Sequence, residues 1–67
     1  MPHSARWARK QHLDVVIKEL TKAGQILMHI YEEFNDGLHE EWAQKWYSLI
    51  HIVDALIDTI QTLRDEM

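Results

Sequence analysis

Leu13, Leu20, Leu27 and Phe34 recur every seven residues along the first half of the chain. Val16, Ala23 and Ile30 fall three residues after the first three of these, and Ile17, Gly24 and Tyr31 fall four after. Only a helix gathers positions so spaced onto one face. The second half repeats the pattern. Trp42, Leu49, Leu56 and Leu63 are spaced by sevens, Trp46, Val53, Ile60 and Met67 fall four later, and Ile50 and Ile57 widen the same face. Glu41, Gln44, His51, Asp58 and Asp65 line the opposite face. The pattern predicts two amphipathic helices and no strand.

Asn35-Asp36-Gly37 separates them. Asn and Gly tolerate the left-handed conformation that ends a helix. Asp36 is placed to cap the next one, where Glu40 and Glu41 suit the positive end of the dipole. The expected elements are helix 1 over about 4–34, a turn at 35–37 and helix 2 over about 38–66. Gly24 invites a break, but the sevenfold spacing runs through it without a phase shift. One continuous helix is therefore expected, with Ala23 and Gly24 permitting a close helix approach.

Two near-equal helices and a short turn make an antiparallel αα-hairpin, a single domain spanning 1–67. Counting outward from the turn places Leu13 near Ile60, Leu20 near Val53 and Leu27 near Trp46. A hairpin cannot cover two faces each three columns wide. A second copy covers the remainder most economically, giving a four-helix-bundle homodimer whose core would hold Leu13, Leu20, Leu27, Trp46, Leu49, Val53, Leu56 and Ile60. In architecture alone, with no shared motif, this plan is similar to that of the small two-helix plasmid copy-control proteins.

Composition strengthens the case for self-association. The chain has 67 residues, 46% hydrophobic and 27% charged, with 2 Gly and 1 Pro. That is too apolar for a disordered tail and too short to bury a comfortable core alone. It has no Cys, which removes disulfides and thiolate metal sites and fits a reducing compartment. No apolar run suits a signal peptide or a membrane span, so a cytoplasmic protein with no membrane partner is expected.

The net charge of −4 is uneven. Residues 1–22 carry five cations and two acids, or +3, whereas residues 23–67 carry two cations and nine acids, or −7. That balance argues against a protein that grips nucleic acid along a basic face. One local anion site is conceivable, because the apolar stripe of helix 1 becomes basic at its start, with Arg6, Arg9 and Lys10 beside Trp7 and His12. The simpler reading pairs these cations with Asp65 and Glu66 at the neighbouring end of helix 2.

Catalytic chemistry finds little support. Ser4 and Ser48 sit in no nucleophile elbow, and no glycine-rich phosphate loop is present. His29 with Glu33, and His51 with Asp54, could each offer two metal ligands, but both pairs lie mostly on the outer face. His39 falls in a core column and reads as a satisfied, partly buried histidine. Its segment, His39-Glu-Glu-Trp-Ala, lacks the second His of a zinc-protease helix. Glu32, Glu33, Asp36, Asp54 and Asp58 resemble the carboxylate spacing of all-α nucleotide pyrophosphohydrolases. In a hairpin, however, Glu32 and Asp54 would lie roughly 20 Å apart along the axis. No enzyme activity, cofactor or metal is expected.

Five of the six aromatic residues, Tyr31, Phe34, Trp42, Trp46 and Tyr47, cluster around the turn. Trp42 and Trp46 have core phase, while Tyr47 lies just off the stripe. The expected function is a small non-catalytic interaction protein that binds and modulates or inhibits a larger protein partner, a role suited to a phage or mobile element. Its acidic outer face, with Glu40, Glu41, Tyr47 and Asp58, would meet a basic site on that partner. The alternatives are an oligomeric binder of an anionic small molecule such as a nucleotide, and a nucleic-acid-binding hairpin dimer, both using the basic start of helix 1.

Overall fold

The computed structural model describes residues 5–67 as two helices, α1 (Ala5–Phe34) and α2 (Glu40–Glu66), packed against each other. The expected first helical position, residue 4, lies outside the described residues. Helix α1 runs through Gly24 unbroken for 30 residues, as the unshifted spacing requires.

The connection is longer than expected, and α2 starts at Glu40 rather than near 38. Asp36 is the reason. Its Oδ1 accepts hydrogen bonds from the backbone N–H groups of Leu38 (2.8 Å) and His39 (3.1 Å). This side-chain turn holds His39 at φ −123°, ψ 45°, outside helical geometry. Asp36 therefore closes the turn instead of capping α2. The Ala43 N–H then donates to the His39 carbonyl at 2.9 Å, the first bond of the new helix. On the other side, the Asn35 N–H donates to the Tyr31 and Glu32 carbonyls, and Gly37 takes up the reversal at φ +81°.

Cross-helix contacts fall one helical turn beyond the expected pairing. Gly24, four residues after Leu20, is the residue set against Val53, and Asp14 pairs with Arg64. The longer connection shifts the two helices past one another. The inward positions of α1 include Leu13, Ile17, Leu20, Gly24, Leu27, Tyr31 and Phe34. Those of α2 are Ala43, Trp46, Ile50, Val53, Ile57, Ile60 and Arg64, with Met67 just past its end.

The hairpin measures 59 × 17 × 10 Å, one helix layer thick. Its radius of gyration is 16.1 Å, against about 11 Å for a compact domain of this length. A single layer leaves each helix one neighbour. Among the described residues only Ala43 and Ile50 fall to 6% exposure; the other inward side chains stay partly open. The layered domains that stand alone bury the same stripes from two sides.

The two glycines predict opposite effects on stability. Gly37 has nothing within 4 Å of an added Cβ, so its cost on substitution is backbone strain alone. Gly37→Ala is expected to destabilise by about 1–2 kcal/mol. An added Cβ at Gly24 would lie 3.7 Å from Val53 Cγ1, an ordinary contact. Gly24→Ala should therefore fit and stabilise α1 by about 0.5–1 kcal/mol through helix propensity. Denaturant titration followed by circular dichroism measures both signs.

Candidate functional site

The hairpin presents two long sides of different chemistry. Two shallow clefts identify the first. One, of about 280 Å³, is lined by Thr21, Gly24, Gln25, Met28, Ile50, Asp54 and Ile57. The other, of about 330 Å³ beside the turn, is lined by Tyr31, Phe34, Asn35, Gly37, Glu40, Ala43, Gln44 and Tyr47. Both contain the positions that follow the inward columns, so these positions share one side of the antiparallel pair. The positions that precede the inward columns must share the other side. They include Val16, Ala23, Ile26 and Ile30 on α1 and Trp42, Leu49, Ile52, Leu56 and Leu63 on α2, with Glu19, Glu33, Lys45 and Thr59 among them.

This second side is apolar and open. The α2 column is 42–52% exposed, with Val16, Ile26 and Ile52 also exposed around it. Leu49 and Leu56, expected in the core of the dimeric bundle, are therefore outside the seam of the single hairpin. The hairpin seats Leu13, Leu20, Leu27, Trp46, Val53 and Ile60 between its helices, while Leu49 and Leu56 face outward with Trp42 and Leu63. From Trp42 to Leu63 the column runs roughly 30 Å at 1.5 Å per residue. A contiguous apolar strip of this size marks an association surface far more often than scattered exposed residues do.

The cleft side is polar and acidic. Glu40 and Tyr47 line the same cleft, and Asp58 lies on an exposed turn further along α2, so the structure brings Glu40, Tyr47 and Asp58 to related positions. Glu41 is turned toward the back of α2, where it lies 3.9 Å from Lys45. The Tyr47 ring stands 5.6 Å from Tyr31 and 4.5 Å, edge-on, from His51. It is thereby oriented while keeping an exposed edge.

The aromatic cluster at the turn is continuous. Phe34 stacks on Trp46 at 6.1 Å, lies 6.3 Å from Trp42 and meets the His39 ring edge-on at 5.9 Å. The Trp46 Nε1 is enclosed without an acceptor. Trp42 keeps an open face, with Lys45 Nζ 4.7 Å from its ring centroid. His39 is satisfied as expected, through Asp36, but it is exposed rather than partly buried.

At the open end the charges pair differently from expectation. Arg64 forms the cross-helix ion pair with Asp14 and also reaches Asp65 Oδ1 at 3.3 Å. Neither sequence distance nor heptad phase signals a pair 50 residues apart; only the hairpin register does. Arg9 Nε donates to the Ala5 carbonyl at 3.3 Å. Among the described residues, Arg6, Arg9 and Lys10 pair with no carboxylate. Arg6, Trp7 and Arg9 are exposed on the first turns of α1, and Lys10 is half-buried behind them. The described residues bring together no group of three metal-ligating side chains, and no helix is long and apolar enough to cross a membrane. No protein family, curated protein or solved structure matches this chain.

The Asp36 carboxyl titrates below its ordinary value. The Leu38 N–H bond first, then the His39 side-chain bond, hold its pKa below 3.8. A lowered native pKa contributes stability that is present above the unfolded value and lost as pH falls through the folded one. Asp36→Asn keeps the acceptor oxygen and removes the charge. The variant should be less stable than the parent at neutral pH, and the gap should close below pH 3.8. Thermal melts across an acid series test this; a gap that stays constant down to the lowest pH would rule out the charge as its source.

Proposed function

We propose that this chain is a small, cytoplasmic, non-catalytic interaction protein that works as a self-associated helical bundle and modulates a larger protein partner. One observation carries the reading: a hairpin one helix thick leaves an apolar strip of roughly 30 Å open from Trp42 to Leu63. Its side chains are each about half exposed, Trp42 52%, Leu49 42%, Leu56 45% and Leu63 51%. A homodimeric four-helix bundle, isologous about a two-fold axis, closes this strip at the smallest stoichiometry.

Self-association on the apolar side leaves the acidic side for the modulated partner. Glu40, Asp54 and Asp58, with the oriented Tyr47, supply negative potential and an aromatic anchor there. A basic site on the partner is the complement, and occlusion of that site is the proposed mode of action. The anionic-ligand reading draws on Arg6, Arg9 and Lys10 at the start of α1, which meet no carboxylate among the described residues.

Native mass spectrometry of the untagged protein, with sedimentation velocity, tests the assembly. An even-numbered oligomer without added mass is expected. A folded monomer overturns self-association, and a discrete extra mass per subunit moves the function to a small-molecule binder. In the same assay Leu49→Glu with Leu56→Glu should lower the dimer population at least tenfold. Dimerisation undisturbed by two carboxylates would place the interface elsewhere.

A further inference from the structure

The open apolar side leaves two ways to stack a second hairpin face to face. The turns can lie at the same end, with α1 on α2 of the second copy. Alternatively they lie at opposite ends, with α1 on α1 and α2 on α2. We infer that the second copy packs antiparallel, with the basic start of each α1 over the acidic turn of the other. This inference rests on the self-association proposed above and adds its face, its orientation and the residues at its axis.

Charge decides the orientation. Helix α1 has no acidic residue in its first turn and no basic residue in its last. It begins instead with Arg6, Arg9 and Lys10 and ends with Glu32 and Glu33. Both groups oppose the dipole of their own helix. The turn end then adds Asp36, Glu40 and Glu41, with Lys45 as the nearest cation. Stacking turns at the same end would bring the acidic end of α1 in one copy, at Glu33, alongside the acidic start of α2 in the other, at Glu41. Stacking them at opposite ends sets each basic start against an acidic end. The cations at the start of α1, which meet no carboxylate among the described residues of their own chain, would acquire their counter-charges this way.

The apolar column is compatible with the same arrangement. Trp42, Leu49, Leu56 and Leu63 are evenly spaced, so a two-fold axis at the middle of the column brings Trp42 against Leu63 of the second copy and Leu49 against Leu56. On α1 the axis falls near Ala23, flanked by Val16 and Ile30. A small residue at that point lets the two α1 helices cross closely. Gly24 beside it already faces Val53 of its own chain.

The chain contains no cysteine, so placed thiols report the geometry without background. Ala23→Cys, bridged by a short bismaleimide, should give a covalent dimer with itself. A mixture of Ala23→Cys and Leu56→Cys should give no hybrid. The opposite pattern, hybrid without the Ala23 self-link, establishes the same-end arrangement and overturns this inference while leaving self-association intact. A protein that sediments as a folded monomer overturns both. Should Ala23→Cys disturb the helix by circular dichroism, Trp42→Cys mixed with Leu63→Cys asks the same question. A hybrid is expected there, and its absence from a dimeric sample counts against the antiparallel arrangement.

Discussion

The whole structure depends on how much of a helix one neighbour can cover. Two antiparallel helices bury the seam between them and little else, because each side chain at the seam still has an open flank. Here that limit is visible in the burial itself: among the described residues Ala43 and Ile50 alone are buried, and each keeps 6% exposure. The apolar stripe on each helix is wider than the seam. The surplus falls on one side because antiparallel pairing aligns the columns that precede the seam. The open strip is thus a geometric consequence of stripe width and helix direction, and it needs no special conformation to expose it.

Much of this was legible in the residues. The sevenfold spacing through Gly24 identifies one long helix in place of two short ones, and Asn35-Asp36-Gly37 locates the reversal. The width of the stripes shows that a hairpin is insufficient. What the spacing could not show was which apolar residues the hairpin keeps and which it leaves. Leu49 and Val53 have equally good helical phase, yet Val53 meets the Gly24 region while Leu49 stays open. That division depends on the rotation of α2 about its own axis, a property of the pair and of no single helix.

The turn explains part of that rotation. Asp36 spends its carboxylate on the N–H groups of Leu38 and His39, which delays α2 to Glu40 and moves the pairing by one turn. A cap read locally as belonging to the helix belongs instead to the loop, since the nearer donors win. The same shift brings Arg64 level with Asp14. An arginine in an otherwise apolar column then finds its counter-charge across the seam, and Asp65 is drawn to it. The basic start of α1 consequently loses the acidic neighbours that sequence proximity to the open end suggested.

Those unneutralised charges carry the last step. A helix that begins with cations and ends with carboxylates is less stable alone than its reverse, by roughly 0.3–1 kcal/mol for each misplaced charge. Such an arrangement is stabilising only where another helix runs alongside in the opposite sense. Helix α2 already supplies one antiparallel neighbour, but its start, at Glu40 and Glu41, repeats the sign of the α1 end beside it. In the assembly proposed above, a second α1 running the other way supplies the opposite charge at both ends. Charge and apolar surface, although carried by different residues, thus make the same demand on what covers the open side.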